Sequence, residues 1–209
     1  MHQRRADFLE DQIQELFTKG FPDARLQRGV KWKESEKVFE TDLLCRIDSH
    51  LFIVEAKSGL VHASALRGAP DRLKKHVQEL ILEPSIQSAR LAERVSAMIA
   101  GKGEADFFET PLSFPLEGVI RIIRLSVTLD EFANLQAHVR TLAEAGWAPP
   151  GFDWALSMSL ANLTTIFENF LPVSLNPVAQ RSPFMPGGGN GFTSMTRETH
   201  YCQNAKPSS

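Results

Sequence analysis

The 209-residue chain has only two cysteines, Cys45 and Cys202, far apart in sequence. A disulfide framework is therefore excluded as the basis of the fold, and a reducing compartment is expected. Also missing are a basic, apolar, small-residue leader pattern and any apolar run near the ~20 residues that cross a bilayer. A cytoplasmic location without membrane contact is the expectation. Excess positive charge is lacking too. The formal net charge is -2, with 16 Lys and Arg against 15 Asp and Glu in residues 1–100 and 7 against 10 beyond. A protein that holds nucleic acid by bulk electrostatics is usually more basic, so any such contact must be local. No phosphate-cradling G-x-x-x-x-G-K-[ST] loop, H-E-x-x-H helix or G-x-S-x-G elbow occurs. Cys45 lies inside a strand-like run and reads as a small buried hydrophobe rather than a nucleophile.

What is present suits one soluble α/β domain. With 43% hydrophobic and 23% charged residues, the chain can bury a core. Residues 1–172 are expected to form that domain. Residues 173–209 are rich in Pro and Gly, too poor in apolar side chains to order themselves, and expected to be a disordered tail. His200 and Cys202 on such a tail do not make a zinc site. The abrupt change after Phe170 is the pattern a shifted reading frame would leave.

The run "ADFLEDQIQELFTKGF" carries Phe8, Leu9, Ile13, Leu16 and Phe17 at helical spacing, with Gly20 as a stop. Glu10 sits on the shoulder of that stripe. It either packs its stem and reaches water or points along the core edge toward a neighbouring sheet. Three strand-length runs follow, "ARLQRGVKWK", "FETDLLCRI" and "HLFIVEAKS". The last two are close enough to form a hairpin, and period two places Ile53, Glu55 and Lys57 on one face. "PDRLKKHVQELI" reads as a helix with Pro70 near its start. A stronger helix is expected to open at Pro84 and Ser85 and close at Gly101, with Gln87, Leu91, Val95 and Met98 on one stripe. Then come a strand in "GVIRIIRLSVTL", a helix from a capping box of Thr128 and Glu131, a strand in "WALSMSL" and a helix in "LANLTTIFENF". The predicted order is α-β-β-β-α-β with an α-β-α extension: a central mixed sheet flanked by helices.

The chemistry concentrates in "ETDLLCRIDSHLFIVEAKSG", residues 40–59. Charged groups at the end of a buried strand cost desolvation unless something pairs with them. In a hairpin, Asp42 at the start of one strand and Glu55 near the end of its neighbour converge, and Lys57 projects toward the same spot. Two carboxylates and an amine of this kind can hold a Mg2+ ion, which keeps several waters, and can offset charge developing on a phosphate. Small basic groups flank the place: Lys31, Lys33 and Lys37 on one side, Arg67, Arg72, Lys74 and Lys75 on the other. Each is either a solvated surface group or a phosphate contact.

The "ETD" at 40–42 and the "EAK" at 55–57, thirteen residues on from Asp42, resemble the active-site signature of the PD-(D/E)XK nuclease superfamily, which includes restriction enzymes and Holliday-junction resolvases. The order helix, three strands, helix, strand is similar to that superfamily's core, and residues 7–128 are covered. The resemblance implies a restriction-endonuclease-like fold that hydrolyses DNA with Mg2+ or Mn2+. Asp42 and Glu55 would bind the metal, joined by the Ala56 carbonyl, and Lys57 would orient water or steady the transition state. It further implies a metal-site glutamate from the first helix and a glutamine from the helix after the third strand, places that Glu10 and Gln87 match. Thr41 stands where proline is usual, and Glu40 lies two residues before Asp42. DNA is the expected partner, with a protein partner or a second copy of the chain as further candidates. The rival expectation is a catalytically inactive module on the same scaffold that binds DNA or protein, motivated by the balanced charge.

Overall fold

A computed structural model describes residues 2–59, 70–102, 107–131, 139–147 and 151–170. Helix α1 (His2–Gly20) is followed by strands β1 (Arg25–Glu34), β2 (Lys37–Ile47) and β3 (His50–Lys57). Next is a helical stretch made of α2 (Pro70–Val77), a π-turn (Gln78–Leu82) and α3 (Glu83–Ile99). The remaining described elements are β4 (Arg121–Thr128), α4 (Val139–Glu144), β5 (Leu156–Ser159) and α5 (Leu160–Phe170). The sheet order is β1-β2-β3-β4-β5. The first three strands pair antiparallel and the last three parallel, so this is a five-stranded mixed sheet flanked by helices. Among the described residues no helix is long and apolar enough to cross a membrane.

Two apolar layers hold the sheet. On one face, Leu9, Ile13 and Phe17 of α1 and Leu163 of α5 pack on Leu43, Cys45, Val54 and Val127. On the other, Leu91 and Val95 of α3 pack on Val30, Trp32, Leu44, Leu51 and Ile53, together with Phe107, Phe114 and Leu116. Alternation along β3 sends Phe52, Val54 and Ala56 toward α1, and Leu51 and Ile53 toward α3.

Alternation breaks once, and the break positions the site. Val30 and Trp32 enter the α3-side core, and their partners across the ladder are Thr41 and Phe39. Farther along β2, Leu44 enters the same core. Thr41 and Leu44 are three residues apart, so strict period two cannot connect them. The switch falls at Gly29, with φ +58°, and at Asp42, the two residues between the paired positions Arg28↔Leu43 and Val30↔Thr41. A Cβ added at Gly29 would also stand 3.3 Å from a Glu40 carboxylate oxygen. Gly29→Ala is therefore expected to lower stability by about 1–2 kcal/mol, the usual penalty for a side chain in left-handed backbone. Urea unfolding measures it, and a neutral or stabilising result would contradict this account of the break.

One sequence expectation is corrected. The helix expected to open at Pro84 and Ser85 instead continues one that begins at Pro70. Pro84 has no N–H to donate to Leu80, and its ring would press on that carbonyl. The turn just before it relaxes into π geometry, in which the Glu83 N–H reaches the Gln78 carbonyl, and the helix passes through. It ends as expected at Gly101: with φ +68°, Gly101 donates to Met98 O and Lys102 to Ala97 O, a Schellman closure. The helix expected from a capping box at Thr128 and Glu131 runs onto residues 132–138, which lie outside the described residues. Thr128 is the last residue of β4, buried, and its hydroxyl donates to the Asp130 carbonyl. The tail at 173–209 with His200 and Cys202, the domain boundary at 172, and Arg67 lie outside the described residues.

Candidate active site

The ladder between β2 and β3 runs from Ile47↔His50 to Leu43↔Val54 and then stops. Beyond that pair the Asp42 carboxylate takes the place of a backbone carbonyl, its Oδ2 accepting the Ala56 N–H at 2.6 Å. Within a strand the N–H and C=O of one residue point the same way, so the Ala56 carbonyl also faces the Asp42 side. The hydrogen bond thus fixes Asp42 in the opening between two diverging strands.

Glu55 comes from the α3-facing side of β3 and is fully buried. Gln87 on α3 donates from Nε2 to Glu55 Oε2 at 3.1 Å and also to the Glu40 carbonyl, tying helix, β2 and β3 together. Lys57 places its ammonium 3.7 Å from the same Oε2. Glu55 Oε1 is buried and has no hydrogen-bond partner among the described residues. Burial pushes the Glu55 carboxyl up to about 8, and the neighbouring Asp42 charge adds to the rise. Lys57, Thr41 and Gln87 oppose it. Asp42 is also raised, by desolvation first and then by the charges of Glu10 and Glu40, against the lowering from Lys57 and the Ala56 N–H.

The structure therefore brings Asp42, Glu55, Lys57 and Gln87 together, with Ala56 between them. Glu10 is close: it lines a narrow crevice with Ile13, Asp42, Leu43, Val54 and Ala56 on the α1 face. Its carboxylate, however, is taken by Arg28 Nη2 at 2.7 Å. Among the described residues, no three His, Cys, Asp or Glu side chains form a group that could hold a metal. Glu10, expected as a third carboxylate ligand, is thus engaged by an arginine on β1.

The orphaned Glu55 oxygen, the paired carboxyls raised by burial and mutual repulsion, and the inward carbonyl of Ala56 are all hard oxygen donors short of positive charge. They fit a hard divalent cation. Thr41, in the place where proline was expected, is fully buried and accepts the Trp32 Nε1 hydrogen bond at 3.2 Å. It braces β2 against β1 by this side-chain bond.

The flanking cations are less available than the sequence suggested. Lys33 pairs with Glu109, Lys31 lies 3.9 Å from Glu40, and Lys75 lies 3.7 Å from Glu79. Lys37, Arg72 and Lys74 are exposed. Two arginines escaped the sequence reading. Arg28 bonds Glu10, Asp11 and Gln14 on α1, and Arg5 donates to the Ser58 carbonyl and to Asp130, clamping the ends of β3 and β4. Their basic character was visible, but the register that sets each against its acceptors was not. Comparison of the chain with protein-family models, with curated proteins and with solved structures finds no match.

Proposed function

We propose that this protein is a metal-dependent nuclease that hydrolyses DNA phosphodiester bonds, on a restriction-endonuclease-like core of the PD-(D/E)XK kind. The observation that carries the reading is the opening of the β2–β3 ladder at Asp42, filled by a carboxylate bonded to the Ala56 N–H and flanked by buried Glu55 and by Lys57. Asp42, Glu55 and the Ala56 carbonyl would hold Mg2+ or Mn2+. Such an ion, when bound, supplies Lewis acidity toward a phosphoryl oxygen and a more acidic water.

The rest of the work falls to the chain. The Ala56 N–H fixes the rotamer of Asp42, and Gln87 fixes that of Glu55, so both carboxylates are oriented before substrate arrives. Lys57 sits 3.7 Å from Glu55 Oε2, which suits it to positioning water and stabilising charge that builds on the phosphate. Glu55 lies fully buried on the same face of β3 as the core residues Leu51 and Ile53, away from bulk water.

The catalytically inactive module remains the second reading, favoured by the two-carboxylate site and by the pairing of Lys31, Lys33 and Lys75. Cleavage of plasmid, linear and branched DNA in Mg2+ or Mn2+ separates the two. Lys57→Ala is expected to cut at least about 100-fold more slowly than the native chain, a loss of about 3 kcal/mol of transition-state stabilisation. Equal cleavage by both proteins would remove Lys57 from the mechanism. No cleavage of any substrate by the native chain would leave the binding module.

A further inference from the structure

Arg28 is the most heavily bonded cation at the candidate site, and nothing in the chemistry above uses it. Its guanidinium leaves β1 one residue before the Gly29 break and forks onto α1. Nη2 donates to Glu10 Oε2 at 2.7 Å, and Nη1 donates to Asp11 Oδ1 at 2.6 Å and to Gln14 Oε1 at 3.4 Å. Both Arg28 and Glu10 are about one-third exposed, so the guanidinium bridges a partly desolvated Glu10 and the more exposed Asp11, one nitrogen to each carboxylate. Glu10 nevertheless lines the same crevice as Asp42, close enough for its charge to act on the Asp42 carboxyl.

Two carboxylates facing one crevice repel unless a positive charge stands by them. On the Glu55 side of Asp42, the orphaned Oε1 is part of the donor set already assigned to one divalent ion. On the Glu10 side the positive charge is Arg28. We propose that Arg28 sets the cation count of the site: its guanidinium serves in place of a second divalent cation, and removing its charge frees Glu10 to become a ligand beside Asp42. This inference rests on the cation-site reading of Asp42 and Glu55. It explains why the three acidic side chains do not gather although two of them share a crevice. Asp11 and Gln14 hold the guanidinium from the far side, so Arg28 does not swing away when an ion approaches.

Counting bound Mn2+ by the loss of the free-ion electron paramagnetic resonance signal tests this without reference to activity. The native chain and Arg28→Lys are expected to bind one Mn2+ per chain, Arg28→Gln two, and Arg28→Gln with Glu10→Gln one again. Glu10→Gln alone is expected to leave the single site and its affinity within about twofold of native, a readout that does not depend on how well Arg28→Gln folds. One ion in both native and a folded Arg28→Gln, two in native, or loss of the native site in Glu10→Gln would each overturn the role of Arg28. No bound ion in any of these proteins would overturn the cation-site reading itself, and this inference with it.

Discussion

Asp42→Asn is expected to reduce cation-dependent cleavage of DNA at least about 10³-fold while leaving the fold intact. The amide oxygen of asparagine can still accept the Ala56 N–H bond that Asp42 Oδ2 accepts at 2.6 Å, so the opening between β2 and β3 keeps its plug. What disappears is one of the two negative charges facing the cation, and a 10³-fold loss corresponds to about 4 kcal/mol. Removing that charge also relieves the repulsion that raises Glu55. The variant should therefore melt no lower than the native chain in chelator. Asp42→Ala differs: it orphans a part-buried N–H, at a cost of about 1–3 kcal/mol, and is expected to lose stability as well as activity. Cleavage by Asp42→Asn within tenfold of native would remove Asp42 from the chemistry.

The second large effect is a dependence of stability on pH that a cation reverses. In the unfolded chain Glu55 loses its proton near the ordinary carboxylate value, about 4.3. In the folded chain burial, reinforced by the Asp42 charge, keeps that proton on to about 8. Between those values the folded state binds more protons than the unfolded one. The stabilisation is complete below the unfolded value and is lost as pH rises through the folded one, with a limiting slope of about 1.4 kcal/mol per pH unit. Asp42, raised for the same first reason, adds in the same direction. In chelator the melting temperature should fall from pH 5 to pH 9, and Mg2+ should restore it increasingly toward pH 9 by stabilising the ionised pair. Glu55→Gln, which cannot ionise, should flatten the profile, exceed native stability at pH 9 in chelator, and lose the Mg2+ response together with cleavage. A native profile without slope, or an identical slope in Glu55→Gln, would contradict the buried-carboxyl account.

The sequence carried the elements well and their joints poorly. The continuous apolar run in "HLFIVEAK" marked β3, which packs on both faces, and helical spacing in "FLEDQIQELF" marked α1, which buries one. Pro84 was misread as a helix start, since a proline inside a helix is tolerated only by a local widening that no single residue announces. Asp42, Glu55, Lys57 and Gln87 were legible because the hairpin and one helix suffice to bring them together. That Arg28 would withdraw Glu10 was not, because it depends on the β1–β2 register and on which face of α1 meets β1. Period two also hid the face switch at Gly29 and Asp42, where strict alternation gives way to a positive φ.

The central claim is that the carboxylates of Asp42 and Glu55 trap one divalent ion between diverging strands. Crystals of the native chain soaked in Mn2+ and measured at a wavelength where manganese scatters anomalously address it directly. The account predicts one anomalous peak, contacted by both carboxylates and by the Ala56 carbonyl, with Glu10 still on Arg28. Saturating Mn2+ that leaves this place without a peak, or a peak held by other residues, would contradict it.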